Sequence, residues 1–255
     1  MNNVQYAQFA RNEYSQCGED GILEHVLSKL PNTDNWCVEF GAWDGIHLSN
    51  TFNLVKNKGY HPVLIEADKK KFQKLQKNMN TYNAVLVNEF VTFDGQNTLD
   101  KILGRTSIPK DFDFLSIDID GNDYWIFDSL TEYRPKIICI EYNQSVPNDI
   151  EYVQLRDFSV KKGSSALSLC KLANQKSYEL IATTHCNLIF VDKEYYPLFQ
   201  IDDNSLATLR EDADNRIYAF VGFDGTIIHS KPMLLPWQDF IIDQEKLQVL
   251  PDRKS

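Results

Sequence analysis

Two groups of residues in this sequence have the types and spacing of a chemical site. The first is Glu39-Phe40-Gly41-Ala42-Trp43-Asp44-Gly45, which follows the apolar run Trp36-Cys37-Val38 and leads into a helical segment. A glycine at the end of a strand lets the backbone turn sharply and come close to a ligand. Glu66 closes the next apolar run, where a carboxylate can accept both hydroxyls of a ribose. A dinucleotide site wants G-x-G-x-x-G, whose middle glycine admits a pyrophosphate. Here that position is Trp43, and Asp44 would set negative charge beside a phosphate. The same acidity suits a cofactor with a sulfonium and an ammonium, so the turn favours S-adenosylmethionine over NAD. The bland alternative is a tight turn followed by a solvated strand end.

The second group is acidic: Asp118, Asp120 and Asp123 after a fourth apolar run, and Glu141 after a fifth. In open α/β sheets the C-terminal edge is where ligands bind. If the run stays extended, Asp118 and Asp120 share a side. Clustered carboxylates repel unless they share a cation or a proton. Hard oxygen ligands suit Mg²⁺ or Mn²⁺, expected mainly on Asp120 and Glu141. Methyl transfer to an alcohol needs the hydroxyl aligned and its proton removed. Without a metal, Asp120 or His185 is the expected base, with Asp118 beside them. The competing reading makes Asp123 a helix cap and Asp118 a hydrogen-bonded strand end.

The elements that position these groups alternate short apolar runs with helical periodicity, the pattern of a parallel α/β sheet. Helices are expected over about 19–30, 49–58, a segment capped by Asp68 with Phe72, Leu75 and Met79 inward, 98–103, 122–130 and 164–175. Strands are expected at 36–40, 62–66, about 84–91, 112–118, 136–141, 178–182 and 187–191. Residues 142–163 read as a long polar loop, and such loops are usually functional. Asn143, Tyr152, Arg156 and Lys162 in it are candidate acceptor contacts. Beyond about residue 192 comes an extension without a placeable motif, in which Ile217–Val221 and Thr226–Ile228 flank Asp224-Gly225 as a hairpin. The whole is expected to be one domain, with its core at about 14–191.

The sequence resembles the FkbM-type methyltransferases, a branch of the class I S-adenosylmethionine-dependent enzymes. The resemblance lies in Tyr14-Ser15-Gln16-Cys17-Gly18-Glu19-Asp20-Gly21, Val38 to Gly45, Leu64-Ile65-Glu66-Ala67-Asp68, Phe114 to Gly121 and Ile140-Glu141-Tyr142-Asn143. It implies a Rossmann-like, mostly parallel seven-stranded sheet with helices on both faces. It implies cofactor contacts at Gln16, Glu39, Gly41, Ala42 and Asp44, with Glu66 and Ala67 at the ribose, Glu89 and Phe90 at the adenine, and Asp118 nearby. Much of the family methylates sugar hydroxyls, and the overall pattern is similar to enzymes acting on heptoses of capsular polysaccharide. A nucleotide-linked sugar, such as a GDP-heptose, is thus the implied acceptor. Asp120-Gly121-Asn122-Asp123-Tyr124 is similar to the acidic turn of metal-dependent macrolide-sugar methyltransferases.

Composition bounds the rest. The 255 residues are 43% hydrophobic and 24% charged, which is globular composition. A net charge of −10 disfavours a nucleic-acid substrate. The five cysteines are scattered with no C-x-x-C pair, which fits a reduced cytoplasmic protein better than a disulfide framework or a zinc site. The polar stretch Met1–Glu13 and the absence of long apolar runs point to neither a signal peptide nor a membrane span. The oligomeric state is open, a homo-oligomer being compatible. An NAD-dependent oxidoreductase and a non-catalytic nucleoside-binding domain are the alternative functions.

Overall fold

A computed structural model describes residues 6–211, 218–230, 232–235 and 240–242. Its backbone divides into two compact units, Met1–Glu211 and Asp212–Ser255. In the first, chain order is α1 (Glu19–Leu27), β1 (Trp36–Phe40), α2 (Phe52–Lys58), β2 (His61–Ile65), α3 (Lys69–Asn78) and β3 (Val85–Val87). Then come α4 (Leu99–Leu103), β4 (Phe114–Ile117), α5 (Asp123–Ser129), β5 (Ile137–Glu141), α6 (Ala166–Gln175), β6 (Tyr178–Thr183), β7 (Asn187–Asp192) and α7 (Leu206–Leu209).

The seven strands lie in the order β3-β2-β1-β4-β5-β7-β6. Pairing is parallel from β3 to β5, and β7 runs antiparallel to both neighbours. Alternation along each strand sends successive side chains to opposite faces. Val38, Phe40, Leu115, Ile117, Ile138 and Ile140 pack with residues of α4, α5 and α6. Cys37, Leu64, Phe114, Ile137 and Cys139 pack with residues of α1, α2 and α3. The sheet is therefore a middle layer buried on both sides, which is why its strands read as near-continuous apolar runs.

Local signals set most boundaries. Asp68 accepts from the N–H groups of Lys70 and Lys71 at 2.8 and 2.9 Å and starts α3. Gly59 at φ 72° ends α2. Four expected elements are shorter than their periodicity by three residues or more. α1 stops at Leu27, and α2 starts at Phe52 because Ser49, Asn50 and Thr51 bond to Glu39. β3 ends at Val87, where the Asn88 side chain turns to the carbonyls of Glu66 and Ala67. β4 spans only Phe114–Ile117, although Phe112 is buried beside it.

In the second unit β8 (Ala219–Val221) and β9 (Ile227–His229) form an antiparallel hairpin around Asp224-Gly225, and β10 (Met233–Leu235) pairs antiparallel with β11 (Phe240–Ile242). Ile217, the expected start of the hairpin, lies outside the described residues, as do the first five residues of the polar N-terminus. Among the described residues no helix is long and apolar enough to cross a membrane.

Candidate functional site

The turn after β1 lies at the C-terminal edge of the sheet, between β2 and β4. Gly41 has φ 73°, and a Cβ there would sit 2.6 Å from the carbonyl oxygen of Asp118. Both conditions demand glycine. Gly45, at φ 77°, is a left-handed position, and a Cβ there would meet the side-chain ends of Leu75 and Met79. Between them Ala42 is buried, and Asp44 accepts from the N–H groups of Ile46 and His47. Trp43 stands 41% exposed at φ 48°, with the Lys71 ammonium 4.6 Å above its ring.

Glu39 is buried and its carboxylate is occupied. It accepts from Ser49 Oγ and Thr51 Oγ1, both at 2.6 Å, and from the Asn50 N–H at 2.9 Å. Burial raises its pKa while these donors pull it back. In the free chain its work is to hold the 49–51 turn that delays α2. Glu66 accepts the N–H of Trp43 at 2.8 Å on one oxygen and of Asp68 at 2.7 Å on the other. Each oxygen keeps a free lone pair, so the carboxylate can still receive a diol. Ala67 beside it is exposed. Glu89 pairs with Arg105 at 2.5 Å, and Phe90, 50% exposed, meets Phe158 edge-on at 4.9 Å. Phe158, which stacks flat on Phe93, comes from the long loop and had no sequence signal.

Gln16 is exposed in a segment fixed from below. Asp20 accepts from the N–H groups of Glu13, Tyr14 and Ser15 at 2.7–2.8 Å. Three acidic groups then gather at the ends of β4 and β5: oxygens of Asp118, Asp120 and Glu141 all lie within 4.8 Å of one another. The extended run ends at Ile117 and Asp120 has φ 59°, so a turn rather than strand alternation brings Asp120 in. Asp118 and Glu141 share a hydrogen bond, which requires a proton between them. Burial, then the charges of Asp123, Asp120 and Glu39, push Asp118 up to about 8. Burial and then Asp118 push Glu141 well above the carboxylate range. Asp123 is different: it accepts the N–H groups of Ile119 and Gly121 at 2.9 Å and braces the turn, as a local cap would. His185 lies exposed between β6 and β7, outside this cluster.

The loop over 142–163 is coil built on two buried polar hubs that the sequence did not announce. Gln154 accepts from Lys162 and Gly163 N–H, donates to the Val160 carbonyl, and receives Trp125 Nε1 on its own carbonyl. Arg210 donates to Tyr142 Oη, Asn148 Oδ1 and the carbonyls of Gln144 and Val146. The only hint was polarity in a loop of unusual length. Asn143 is spent on loop structure, donating to the Lys162 carbonyl and accepting from Ser145. Tyr152 is half-buried, its backbone bound to Ser165. Lys162 is exposed. Arg156 lies over Phe93 at 4.5 Å and Trp125 at 5.5 Å, with Asp94 3.9 Å away.

Strand order β3-β2-β1-β4-β5-β7-β6 with β7 reversed is the class I Rossmann-like methyltransferase sheet. Residues 94–164, which carry the acidic cluster's turn, β5 and the long loop, match the family model of the methyltransferase FkbM domain. No curated protein matches the sequence. Among solved structures the chain is similar to the CurJ carbon methyltransferase, at 9% identity and TM-score 0.45, covering 68% of this chain and 52% of that one. It is similar to the CMeT domain of citrinin polyketide synthase, at 11% and 0.44, covering 68% and 51%. It is also similar to TrmK of M. capricolum bound to S-adenosylhomocysteine, at 13% and 0.41, covering 67% of each. The chain spans about half the length of the first two.

Proposed function

We propose that this chain, which carries a methyltransferase FkbM domain, transfers the methyl group of S-adenosylmethionine to a sugar hydroxyl. The acceptor is a nucleotide-linked sugar, such as a GDP-heptose used for surface polysaccharide, and the reaction runs in the cytoplasm. The observation that carries the reading is the Asp118–Asp120–Glu141 cluster beside the Gly41 turn. Such a cluster supports the reading by supplying proton acceptors close to the turn at which Gly41 and Glu66 would hold a methyl donor. In the transfer the C–S bond breaks as the acceptor's C–O bond forms, and the hydroxyl proton passes to a carboxylate. Asp118, raised to about 8, becomes free to accept it as the pH rises toward and past that value.

The donor set of three carboxylates also fits a hard divalent cation, which Asp118, Asp120 and Glu141 would hold. Such an ion lowers the pKa of a coordinated hydroxyl. The diol-accepting oxygens of Glu66 bind the ribose, and the edge-on pair Phe90–Phe158 flanks the adenine. Arg156, with Lys162 on the same loop, faces the acceptor's phosphates. An oxidoreductase using NAD is disfavoured by Trp43 and Asp44 in the turn.

The test is transfer of labelled methyl from the cofactor to a panel of sugar nucleotides. Glu141→Gln should lower turnover by about 10²–10⁴ while calorimetry shows S-adenosylhomocysteine affinity nearly unchanged. EDTA should remove activity and Mg²⁺ or Mn²⁺ restore it. Full activity of metal-free protein eliminates the cation and leaves the proton-sharing pair. Full activity of Glu141→Gln eliminates the cluster's role altogether.

A further inference from the structure

Cys17 and Cys186 are separated by 169 positions in sequence, yet their sulfurs lie 2.7 Å apart. Cys37 and Cys139 are fully buried in strands, whereas both members of this pair are only partly buried. Their backbones are brought together without any bond between the sulfurs. Glu19 accepts the Cys17 N–H at 2.8 Å on one oxygen. On the other it accepts Thr184 Oγ1 at 2.6 Å and Asn187 Nδ2 at 3.0 Å, the residues that bracket Cys186. The Cys186 carbonyl in turn accepts the Tyr142 N–H at 3.0 Å. One buried carboxylate thus staples the N-terminal loop to the β6–β7 turn and leaves two thiols facing.

We propose that Cys17 and Cys186 are a reversible disulfide pair, a redox latch joining the N-terminal loop to the β6–β7 turn beside the acidic cluster. A metal fits the geometry less well. Two thiolates on tetrahedral zinc, with Zn–S of about 2.3 Å, would sit roughly 3.8 Å apart. Glu19, the third ligand of such a site, already serves three donors. Disulfide formation needs only a small approach, to about 2.05 Å.

The oxidant is a low-molecular-weight disulfide of the glutathione type. The Cys17 thiolate, favoured by the hydrogen bond from Cys186, attacks one of its sulfurs and expels a first thiolate. Cys186 then gives up its proton, attacks the Cys17 sulfur of the mixed disulfide and expels the second. Two protein thiols are oxidised and one small disulfide is reduced to two thiols. Closing so long a loop restricts the unfolded chain, so the oxidised form is the more heat-resistant. One consequence rests on the methyltransferase reading: the loop that carries Gln16 is tethered, and S-adenosylhomocysteine leaves the oxidised form more slowly.

The test equilibrates the full chain in glutathione buffers of graded ratio, then quenches with acid. Denatured thiols should fall by two from the five in the sequence, with a peptide cross-linked at 17 and 186. Tm should rise by about 5–10 °C and return on reduction with dithiothreitol. Cys17→Ser and Cys186→Ser should each gain one glutathione adduct and no Tm increase. Five thiols retained in oxidising buffer, or glutathione adducts on wild type without a cross-link, would overturn the proposal. Stoichiometric zinc in wild type that disappears in Cys17→Ser would also overturn it, in favour of a metal site. None of these readouts needs cofactor binding, so a failed methyltransferase reading leaves the latch testable.

Discussion

Glu39 and Glu66, at the ends of β1 and β2, have their carboxylates held by hydrogen-bond donors, whereas Asp118 and Glu141, at the ends of β4 and β5, face each other. In the first pair, backbone N–H groups and hydroxyls supply two or three hydrogen bonds to each carboxylate. In the second pair the partner is another acid, and burial pushes both pKa values up. Both arrangements sit on the same sheet edge. Where donors satisfy a carboxylate it serves as fixed scaffolding with spare lone pairs for a neutral diol. Where acids satisfy each other, the site stays poised to give up a proton or take a cation.

Gly41→Val tests the scaffolding half most severely. Its Cβ would overlap the Asp118 carbonyl from a left-handed backbone, so S-adenosylhomocysteine affinity should fall more than a hundredfold by calorimetry. Unchanged affinity would remove the β1 turn from the cofactor site. Glu66→Gln is gentler. It exchanges a charged acceptor for a neutral one, at a cost of about 1.5–3 kcal/mol, or roughly ten- to a hundredfold in affinity. Circular dichroism should show the fold retained. An affinity within twofold of wild type would mean that the ribose is held elsewhere.

The smallest effect belongs to the acidic half and reads its proton. Asp118 carries a folded pKa raised from 3.8 to about 8, so between those values the folded chain binds a proton that the unfolded chain has lost. Stability is then greatest at the acid end of the window and is lost as pH rises through it. Tm of cation-free protein should drop by several degrees from pH 5 to pH 8. Asp118→Asn should flatten that dependence, and Mg²⁺ should restore Tm at pH 8. A slope equal to wild type in Asp118→Asn would assign the proton to another group.

Much of this edge was legible beforehand, because it depends on neighbours in sequence. The Gly41 turn and the Asp68 cap each follow from a few adjacent residues, as does, in the second unit, the hairpin turn at Asp224-Gly225. The acidic residues could be named, but the sharing between Asp118 and Glu141 follows from parallel register, in which Ile117 stands opposite Ile140. Asp123 differs from its neighbours only because its oxygens meet two N–H groups of its own turn. Arg210, Gln154 and the Cys17–Cys186 pair carried no pattern at all.

By itself the sequence determined the alternation of strands and helices and the position of the turns, since apolar periodicity and backbone sterics act over a few residues. Only the tertiary structure decided which carboxylates are filled and which confront each other, and which cysteines meet. Those outcomes depend on strand order and on the reversed β7, which brings Asn187 beside Glu141 and Cys186 within reach of Cys17. Contacts across 169 positions are set when the layers close, and no local spacing encodes them.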